Sequence, residues 1–248
     1  MYLSWIIPAY NEEKRIEKTL REVDEYLREK NFPGGYEIIV ANSASRDRTA
    51  EIVGQMQQQI SNLQLLNLEN KGKGWAVQRG MLHAQGDIRV FSDADNSVSP
   101  GHLDKFLPFL CGAEPLSQEQ CFDVVIGSIE VPGASIEEHA QWYRRALGKT
   151  AKYVIRAVSG LWQIHDSQRG FKVFSRRAAE AVFKRQIITG WGFDFEILLI
   201  ARTHGFRIRE VPVRWVNPSD SKVGLSAYAT TLAELLRVKW NKIKGIYE

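Results

Sequence analysis

Cysteine is almost absent from this sequence, and so is any long apolar run. The only two cysteines are Cys111 and Cys121, which excludes a disulfide framework or a cysteine-based metal site and fits a reducing compartment. No apolar run approaches the roughly 20 residues that cross a bilayer, so no transmembrane helix is expected. Strand-like sequence begins almost at the first residue, without the charged and apolar regions of a signal peptide. We therefore expect a cytoplasmic protein that is soluble or lies on a membrane surface.

Charge of one sign is not in large excess either, but it is unevenly distributed. The formal net charge is only +4, whereas residues 144–185 and 237–244 are rich in Arg and Lys. Such asymmetry favours an anionic partner such as a phosphate, a nucleic acid or a membrane surface, although a solvated face would also account for it. Hydrophobic residues make up 44% of the 248 residues, which is enough for a substantial core.

The first half alternates between strand-like and helix-like segments. Strands are predicted at "LSWIIPAY", "YEIIVA" (36–41), "LQLLNL", "DIRVFSDAD" and "FDVVIGS" (122–128), with amphipathic helical segments between the first four. This alternation predicts an α/β fold with a Rossmann-like, mostly parallel sheet and helices on both faces. In such sheets ligands bind beyond the carboxyl ends of the strands.

The second half follows a different pattern. A basic amphipathic segment at about 137–162 precedes "DSQRGFKVFS", a helix is predicted near 176–184, and "GWGFDFEILLIARTHG" follows it. A strand, "FRIREVPVRWV", and a last amphipathic helix from about Ser226 complete the chain. No repeat, low-complexity tract or linker divides it, so a single domain over residues 1–248 is expected.

Two carboxylates, Asp93 and Asp95, follow the fourth predicted strand directly. Carboxylates this close repel one another unless a cation neutralises them. A hard divalent cation prefers oxygen ligands, and Mg²⁺ is typically held by one or two carboxylates together with substrate phosphates. A turn or helix cap would explain an isolated Asp-Ala-Asp equally well. Its place after a parallel strand favours a metal–diphosphate site.

Three further stretches converge on the same edge of the sheet. "IIPAYNEEKRI" (6–16) ends the first strand and begins a helix, where backbone amides and a carboxylate suit a nucleoside. "NKGKGWAVQRG" (70–80) places Lys73 between glycines at a helix start, near a phosphate or simply in solvent. "DSQRGFK" (166–172) gathers donors before an apolar strand, which favours a phosphate-facing role.

Together with "WGFDFEILLIA", these motifs occur in the order and at the spacing of family 2 glycosyltransferases of GT-A fold. The chain resembles the dolichyl- and polyprenyl-phosphate hexosyltransferase branch, most closely its β-glucosyltransferase type, over nearly its whole length. The resemblance implies a nucleotide-sugar-binding half (1–128) and an acceptor half with amphipathic helices (129–248).

The resemblance also implies a role for each matching residue. Those expected to bind the nucleotide sugar are Pro8, Ala9, Tyr10, Glu12, Asn42, Asp47, Lys73, Asp93 and Ala94. Those expected to contact the acceptor or its phosphate are Gln168, Arg169, Lys172 and Glu196. The expected catalytic residues are Asp93, Asp95, Asp166, Lys172 and Asp194, with Mg²⁺ or Mn²⁺ at Asp93 and Asp95.

One stretch departs from the family pattern. Where the family usually has Asp-Asp-Gly-Ser-x-Asp, this chain has "NSASRD" (42–47), so Asn42 and Ser43 replace both leading carboxylates and Asp47 remains. Asn can accept a hydrogen bond as Asp does, but it lacks the charge and can also donate. A uridine or a guanosine donor therefore both remain open.

The resemblance implies an inverting, metal-dependent transfer of glucose or mannose from a UDP- or GDP-sugar to a polyprenyl or dolichyl phosphate. The alternatives are a soluble or protein acceptor, which would need Asp194 or Asp166 as a base, and a nucleotide-sugar-binding protein without turnover. Nucleic-acid binding is not expected, because it would leave the carboxylate pair unexplained.

Two helical segments could meet the membrane on the cytoplasmic face. The expected apolar faces comprise Tyr143, Leu147, Ala151, Val154, Val158 and Trp162 in one, and Tyr228, Leu232, Leu235, Leu236, Trp240 and Ile243 in the other. Basic residues flank both faces, as in interfacial helices, although packing against the protein's own sheet would explain the same pattern.

Overall fold

The computed structural model describes residues 2–113, 121–137, 153–216 and 225–248, with the backbone alone at 225–229. A seven-stranded sheet runs through its centre, in the order β3-β2-β1-β4-β7-β5-β8. Its strands are β1 (Leu3–Ala9), β2 (Tyr36–Ser43), β3 (Leu63–Leu68), β4 (Ile88–Ser92), β5 (Val124–Ser128), β7 (Phe171–Ser175) and β8 (Ile208–Pro212). All neighbouring pairs are parallel except those made by β7, which is antiparallel to β4 and β5. The predicted α/β class and mostly parallel sheet are confirmed.

Helices cover both faces of this sheet. They are α1 (Ile16–Lys30), α2 (Thr49–Met56), α3 (Lys73–His83), α4 (described over 153–159), α5 (Arg176–Arg185), α6 (Phe193–Thr203) and α7 (Leu225–Ile243). Side chains alternate along β1, so Trp5 and Ile7 belong to a core cluster that includes α1, whereas Ile6 belongs to a second cluster that includes α3, α5 and α6. Within the described ranges, no helix is long and apolar enough to cross a membrane.

Two strands differ in extent from their predictions. The fourth strand ends at Ser92, so the Asp93–Asp95 segment is a turn beyond the sheet. The stretch 206–216 forms two short strands instead of one. After β8 the chain passes into β9 (Arg214–Val216), which pairs with β6 (Ser135–Glu137) in a separate two-stranded sheet. Of the predicted basic segment, residues 138–152 with Tyr143, Leu147 and Ala151 lie outside the described residues.

The two cysteines correct one expectation. Cys111 and Cys121 form a disulfide, with their Cα atoms 4.8 Å apart. They meet because a backbone bridge pairs Leu110 with Phe122, so the chain on either side of residues 114–120 is held together. Sequence counting excluded a framework of several bridges, but it did not anticipate this single one.

Candidate active site

A cavity of about 420 Å³ opens at the carboxyl edge of the parallel strands, where the strand order predicted a ligand site. Its walls come from the ends of β1, β2 and β4, the loops that precede α3 and β7, and two tryptophans. The lining residues are Pro8, Ala9, Tyr10, Glu12, Arg15, Ser43, Lys71, Gly72, Lys73, Ala76, Asp93, Ala94, Asp95, Ser97, Gln168, Arg169, Gly170, Trp191 and Trp215. Four of the sequence stretches singled out above therefore meet in one place.

Lys73 and Asp93 form an ion pair inside this cavity. Lys73 is the first residue of α3, and its Nζ lies 2.6 Å from Asp93 Oδ1. Burial lowers the pKa of Lys73, but the carboxylates of Asp93, Asp194 and Asp95 raise it by more, so the net pKa is raised. The ammonium therefore stays charged at neutral pH, in a position suited to a phosphate.

Asp95 is held by the turn that follows β4. Its Oδ1 accepts hydrogen bonds from the Ser97 backbone N–H at 2.9 Å and from the Ser97 hydroxyl at 2.5 Å. Asn96, between them, adopts a positive φ of 49°, a conformation that Asn tolerates better than most residues. The turn thereby directs both Asp93 and Asp95 into the cavity.

The loop before β7 supplies a second cation. Arg169 Nε donates to Asp166 Oδ2 at 2.9 Å, and the guanidinium stacks 4.5 Å from the Trp215 ring centroid. Asp166 is itself held through its backbone N–H, which donates to Glu210 Oε1 at 2.9 Å. Arg169 lines the cavity whereas Asp166 does not, so Asp166 orients Arg169 from behind.

Lys172 and Asp194 meet beneath the cavity floor. Lys172 Nζ lies 2.5 Å from Asp194 Oδ1, and the side chains are 0% and 4% exposed. Burial raises the pKa of Asp194, although Lys172 and Lys73 act in the opposite direction. Neither residue lines the cavity, so their charges act on it from within the protein.

Three other predicted site residues are engaged elsewhere. Asp47 accepts from the backbone N–H of Thr49, the first residue of α2, at 3.0 Å, while Glu196 is fully buried and accepts from Ile188 N–H at 2.8 Å. Asn42 donates from Nδ2 to Asn67 Oδ1 at 2.8 Å, and its buried Oδ1 has no partner among the described residues. None of the three lines the cavity.

Sequence reasoning assigned no site role to several residues that do line it. Arg15, Ser43, Lys71, Trp191 and Trp215 are all present. Ser43 donates to Asn70 O at 2.8 Å and accepts from the Gly72 N–H at 3.0 Å, which fixes the loop that leads to Lys73. The Gly-Trp-Gly run at 190–192 is a signal that could have identified Trp191, because glycines on both sides of an aromatic residue allow other groups to approach the backbone closely.

The donor set fits a hard divalent cation. Asp93 and Asp95 offer carboxylate oxygens, and Asp95 Oδ2 has no hydrogen-bond partner among the described residues. In the described part of the chain, no group of three or more His, Cys, Asp or Glu side chains is placed to hold a metal. A cation here would take its remaining ligands from substrate phosphates and water, which is typical of Mg²⁺ sites.

The fold and the cavity define a GT-A-type α/β architecture with a candidate ligand site at the carboxyl edge of its sheet. A sequence model of the family "Glycosyl transferase family 2" matches residues 4–183, and the chain belongs to that family. It is a glycosyltransferase similar to dolichyl-phosphate beta-glucosyltransferases, as the sequence predicted. One from Trichomonas vaginalis is 35% identical over 96% of this chain and 73% of its own length. The human one is 30% identical over 89% and 69%.

Solved structures support the same fold. A glucosyl-3-phosphoglycerate synthase from Mycobacterium tuberculosis, in complex with Mn²⁺, UDP-glucose and phosphoglyceric acid, matches with a TM-score of 0.65. The identity is 21%, and the match covers 96% of this chain and 79% of the synthase. At that identity the likeness establishes the GT-A fold.

Proposed function

We propose that the protein transfers glucose from UDP-glucose to a polyprenyl or dolichyl phosphate with inversion of configuration. The observation that carries this proposal is the convergence of Asp93, Asp95, Lys73 and Arg169 on one cavity, which provides cations and metal-type ligands for a diphosphate and a second phosphate. Relatives that cover nearly the whole chain are named for dolichyl phosphate and glucose, and a protein of the same fold binds UDP-glucose. Mannose and a GDP donor are the alternatives to test.

Such an acceptor needs no general base, because its phosphate oxygen is already an anion at neutral pH. The enzyme must instead bring two anions together and stabilise the leaving nucleoside diphosphate. Lys73 and Arg169, which both line the cavity, would offset negative charge, and Asp93 and Asp95 would hold Mg²⁺ or Mn²⁺. That ion, when bound, supplies Lewis-acid charge for the diphosphate. Direct attack on the anomeric carbon of an α-linked donor gives a β-linked product.

The nucleoside would lie at the β1 end of the cavity, where Pro8, Ala9, Tyr10 and Glu12 form the wall. Asn42 stands one strand away, because its backbone pairs with Ala9. Asn67 orients the Asn42 amide by accepting a hydrogen bond from Nδ2, and the buried Oδ1 of Asn42 has no partner among the described residues. We expect this uncharged pair to influence which base is accepted.

A hydroxyl acceptor, soluble or on a protein, is the second candidate. It would require a carboxylate base, but Asp166 is paired with Arg169 and Asp194 with Lys172, both away from the cavity surface. These contacts favour the phosphate acceptor. A binding protein without turnover is the third candidate, because Asn42 and Ser43 replace two carboxylates of the family pattern. The presence of Asp93 and Asp95, the two carboxylates suited to a metal, favours an active enzyme.

We also propose that the protein works peripherally on the cytoplasmic face of a membrane, where a lipid-linked phosphate would be presented.

A donor and acceptor panel tests the proposal. The protein is incubated with Mn²⁺ or Mg²⁺ and UDP-glucose or GDP-mannose, with and without a short polyprenyl phosphate in detergent, and released nucleoside diphosphate is measured. We expect release only with UDP-glucose, metal and lipid together, and loss of turnover in Asp95→Ala. Full metal-dependent turnover in Asp95→Ala would overturn the metal assignment. Binding of the donor without release would establish the non-catalytic alternative.

A further inference from the structure

Helix α7 has two apolar faces, and the protein's own core covers only one of them. Leu235 and Val238 are 1% and 0% exposed and pack in the core. Four other apolar residues recur at spacings of three or four positions and so share the opposite face. This outer face of α7 consists of Leu232, Leu236, Trp240 and Ile243, which are 49%, 57%, 57% and 66% exposed.

Exposed apolar side chains are concentrated on and around this helix. Eleven large apolar residues are exposed in the described chain, and five of them, the four of the outer face and Ile246, lie between positions 232 and 246. Contiguous apolar surface on a soluble domain usually marks a binding surface. The outer face of α7 is thus a candidate docking surface.

The charges around it select the partner. At 100° per residue, Lys239 and Lys242 fall on one flank of the outer face and Arg237 falls on the other. Lys244, in the turn just after the helix, has its Nζ 5.0 Å from the Trp240 ring centroid. The acidic residue of α7 is Glu234. It faces inward, where it accepts a hydrogen bond from the Gly192 N–H. Apolar side chains between two cationic flanks match an anionic lipid surface. A second copy of the same face would bring like charges together.

The region after α4 extends this surface. Lys242 Nζ lies 4.0 Å from the position a Cβ would take on Gly160, which places the end of α7 beside the segment that leads to Trp162. Trp162 is 49% exposed, contacts Tyr153 at 5.8 Å between ring centroids, and has the Arg156 guanidinium 5.9 Å from its own centroid. Exposed aromatic rings next to arginine suit the headgroup region of a bilayer.

The same helix also reaches the cavity. Glu234 Oε2 accepts a hydrogen bond from Gly192 N–H at 2.7 Å. Its carboxylate packs so closely that a Cβ on Gly190 would lie 2.1 Å from Oε1. The residue between these glycines is Trp191, which lines the cavity 5.5 Å from Lys73 Nζ. The inner side of α7 therefore holds the cavity rim while its other side remains exposed.

We propose that the outer face of α7, with its lysines and Trp162, docks the protein on an anionic lipid surface and so holds the Trp191 side of the cavity next to that surface. The benefit for an acceptor phosphate rests on the proposed function, whereas the docking itself rests on α7 alone.

Vesicle sedimentation tests the docking directly. The full chain is mixed with vesicles of phosphatidylcholine, alone or with phosphatidylserine, and pelleted. We expect sedimentation with the anionic vesicles, and an affinity at least about tenfold lower for Leu236→Gln/Trp240→Gln, which removes two apolar anchors. Lys239→Gln/Lys242→Gln should also bind more weakly. The matched control Lys18→Gln/Arg28→Gln removes the same charge from exposed positions on α1 and should bind as the unaltered protein does.

The outcomes separate docking from the proposed activity. Leu236→Gln/Trp240→Gln should keep its melting temperature and its turnover of a short acceptor in detergent, but lose turnover of a long acceptor in vesicles. Docking is refuted if the unaltered protein stays in the supernatant with anionic vesicles, or if Leu236→Gln/Trp240→Gln pellets equally well. It is also refuted if this double variant loses self-association of the protein but not vesicle binding. Absence of turnover under every condition would refute the proposed function and leave the sedimentation result to decide the docking.

Discussion

Lys172 Nζ and Asp194 Oδ1 lie 2.5 Å apart in an ion pair that is almost entirely closed to solvent. Lys172 also donates to the Arg169 carbonyl and lies 5.2 Å from the Phe91 ring centroid. The pair thus joins the start of β7 to the first turn of α6, next to the loop that carries Arg169. Its position supports the cavity wall from behind.

Removing one partner of this pair should destabilise the protein more than removing both. Lys172→Met leaves the Asp194 carboxylate buried without its cation, which typically costs about 3–5 kcal/mol. Lys172→Met/Asp194→Asn should recover most of that loss in urea unfolding. If the pair only supports the wall, the double variant should also keep much of its turnover. An inactive double variant of normal stability would instead assign these residues a direct catalytic role.

A methyl group on Gly170 should displace the Asp93 carboxylate. A Cβ at this position would lie 2.0 Å from Asp93 Oδ2, whereas a Cβ on Gly101 would meet nothing within 4 Å. We expect Gly170→Ala to lower turnover at least about tenfold by moving Asp93 out of position, in line with the cost of small misplacements at active sites. Gly101→Ala is the matched control and should have unaltered turnover. Equal activity of the two variants would contradict the assigned position of Asp93.

Glu234 should act on the donor site through the Trp191 loop. In Glu234→Ala the Gly192 N–H loses its acceptor, so the loop that carries Trp191 is less restrained. We expect a higher KM for the nucleotide sugar with a smaller change in kcat. Glu234→Gln retains an acceptor oxygen and should restore most of the KM. A uniform loss of stability and activity in both variants would indicate a purely structural residue.

Glu196 should make stability depend on pH. Burial raises its pKa above the usual value, against hydrogen bonds from Tyr247 and the Ile188 and Ile187 N–H groups, which lower it. A folded-state pKa above the unfolded value means that the folded protein binds this proton more tightly. The free energy of unfolding should therefore fall as pH rises from 4.5, the usual value, through the raised pKa.

The comparison that isolates this effect is Glu196→Gln against the unaltered protein. Urea unfolding is measured for both proteins from about pH 4 to about pH 8. The difference between their free energies of unfolding should change between pH 4.5 and the raised pKa of Glu196, and it should be constant above that pKa. A difference independent of pH would show that Glu196 has the same pKa in both states.

The disulfide between Cys111 and Cys121 can be tested by counting free thiols. Protein purified without reductant should present no free thiol to an alkylating reagent, because Cys111 and Cys121 are paired. Two reactive thiols in the unfolded, unreduced protein would exclude the bridge. They would also agree with the proposed cytoplasmic location, since disulfides are rare in cytosolic proteins.

The sequence predicted best what local patterns determine. Alternating strands and helices predicted the sheet class. Asp93, Asp95 and Lys73 were expected at the carboxyl edge of the sheet because each stands directly after a strand or at a helix start, and all three line the cavity there. The roles of Asp47, Glu196 and Asp166 depend on partners that only the folded chain supplies, such as Thr49, Tyr247 and Glu210. A carboxylate that binds a backbone N–H at the start of a helix and one that faces a ligand look alike in sequence.

Contacts between distant segments were beyond sequence reasoning. The approach of Glu234 to Gly192 joins residues 42 positions apart, and no period or motif connects them. Likewise, Leu235 and Leu236 are neighbours of equal hydropathy, yet one is buried and the other exposed. Only the packing of α7 against the protein decides which of the two faces remains free.

Strand β7 enters the sheet antiparallel between β4 and β5, so chain from beyond position 170 lies between two strands of the first 128 residues. Residues 1–128 and the chain that follows them consequently share one backbone hydrogen-bond ladder and cannot rotate apart as rigid bodies. An attempt to split the enzyme into two separately expressed halves should yield fragments with a gap in the central sheet, each insoluble without the other.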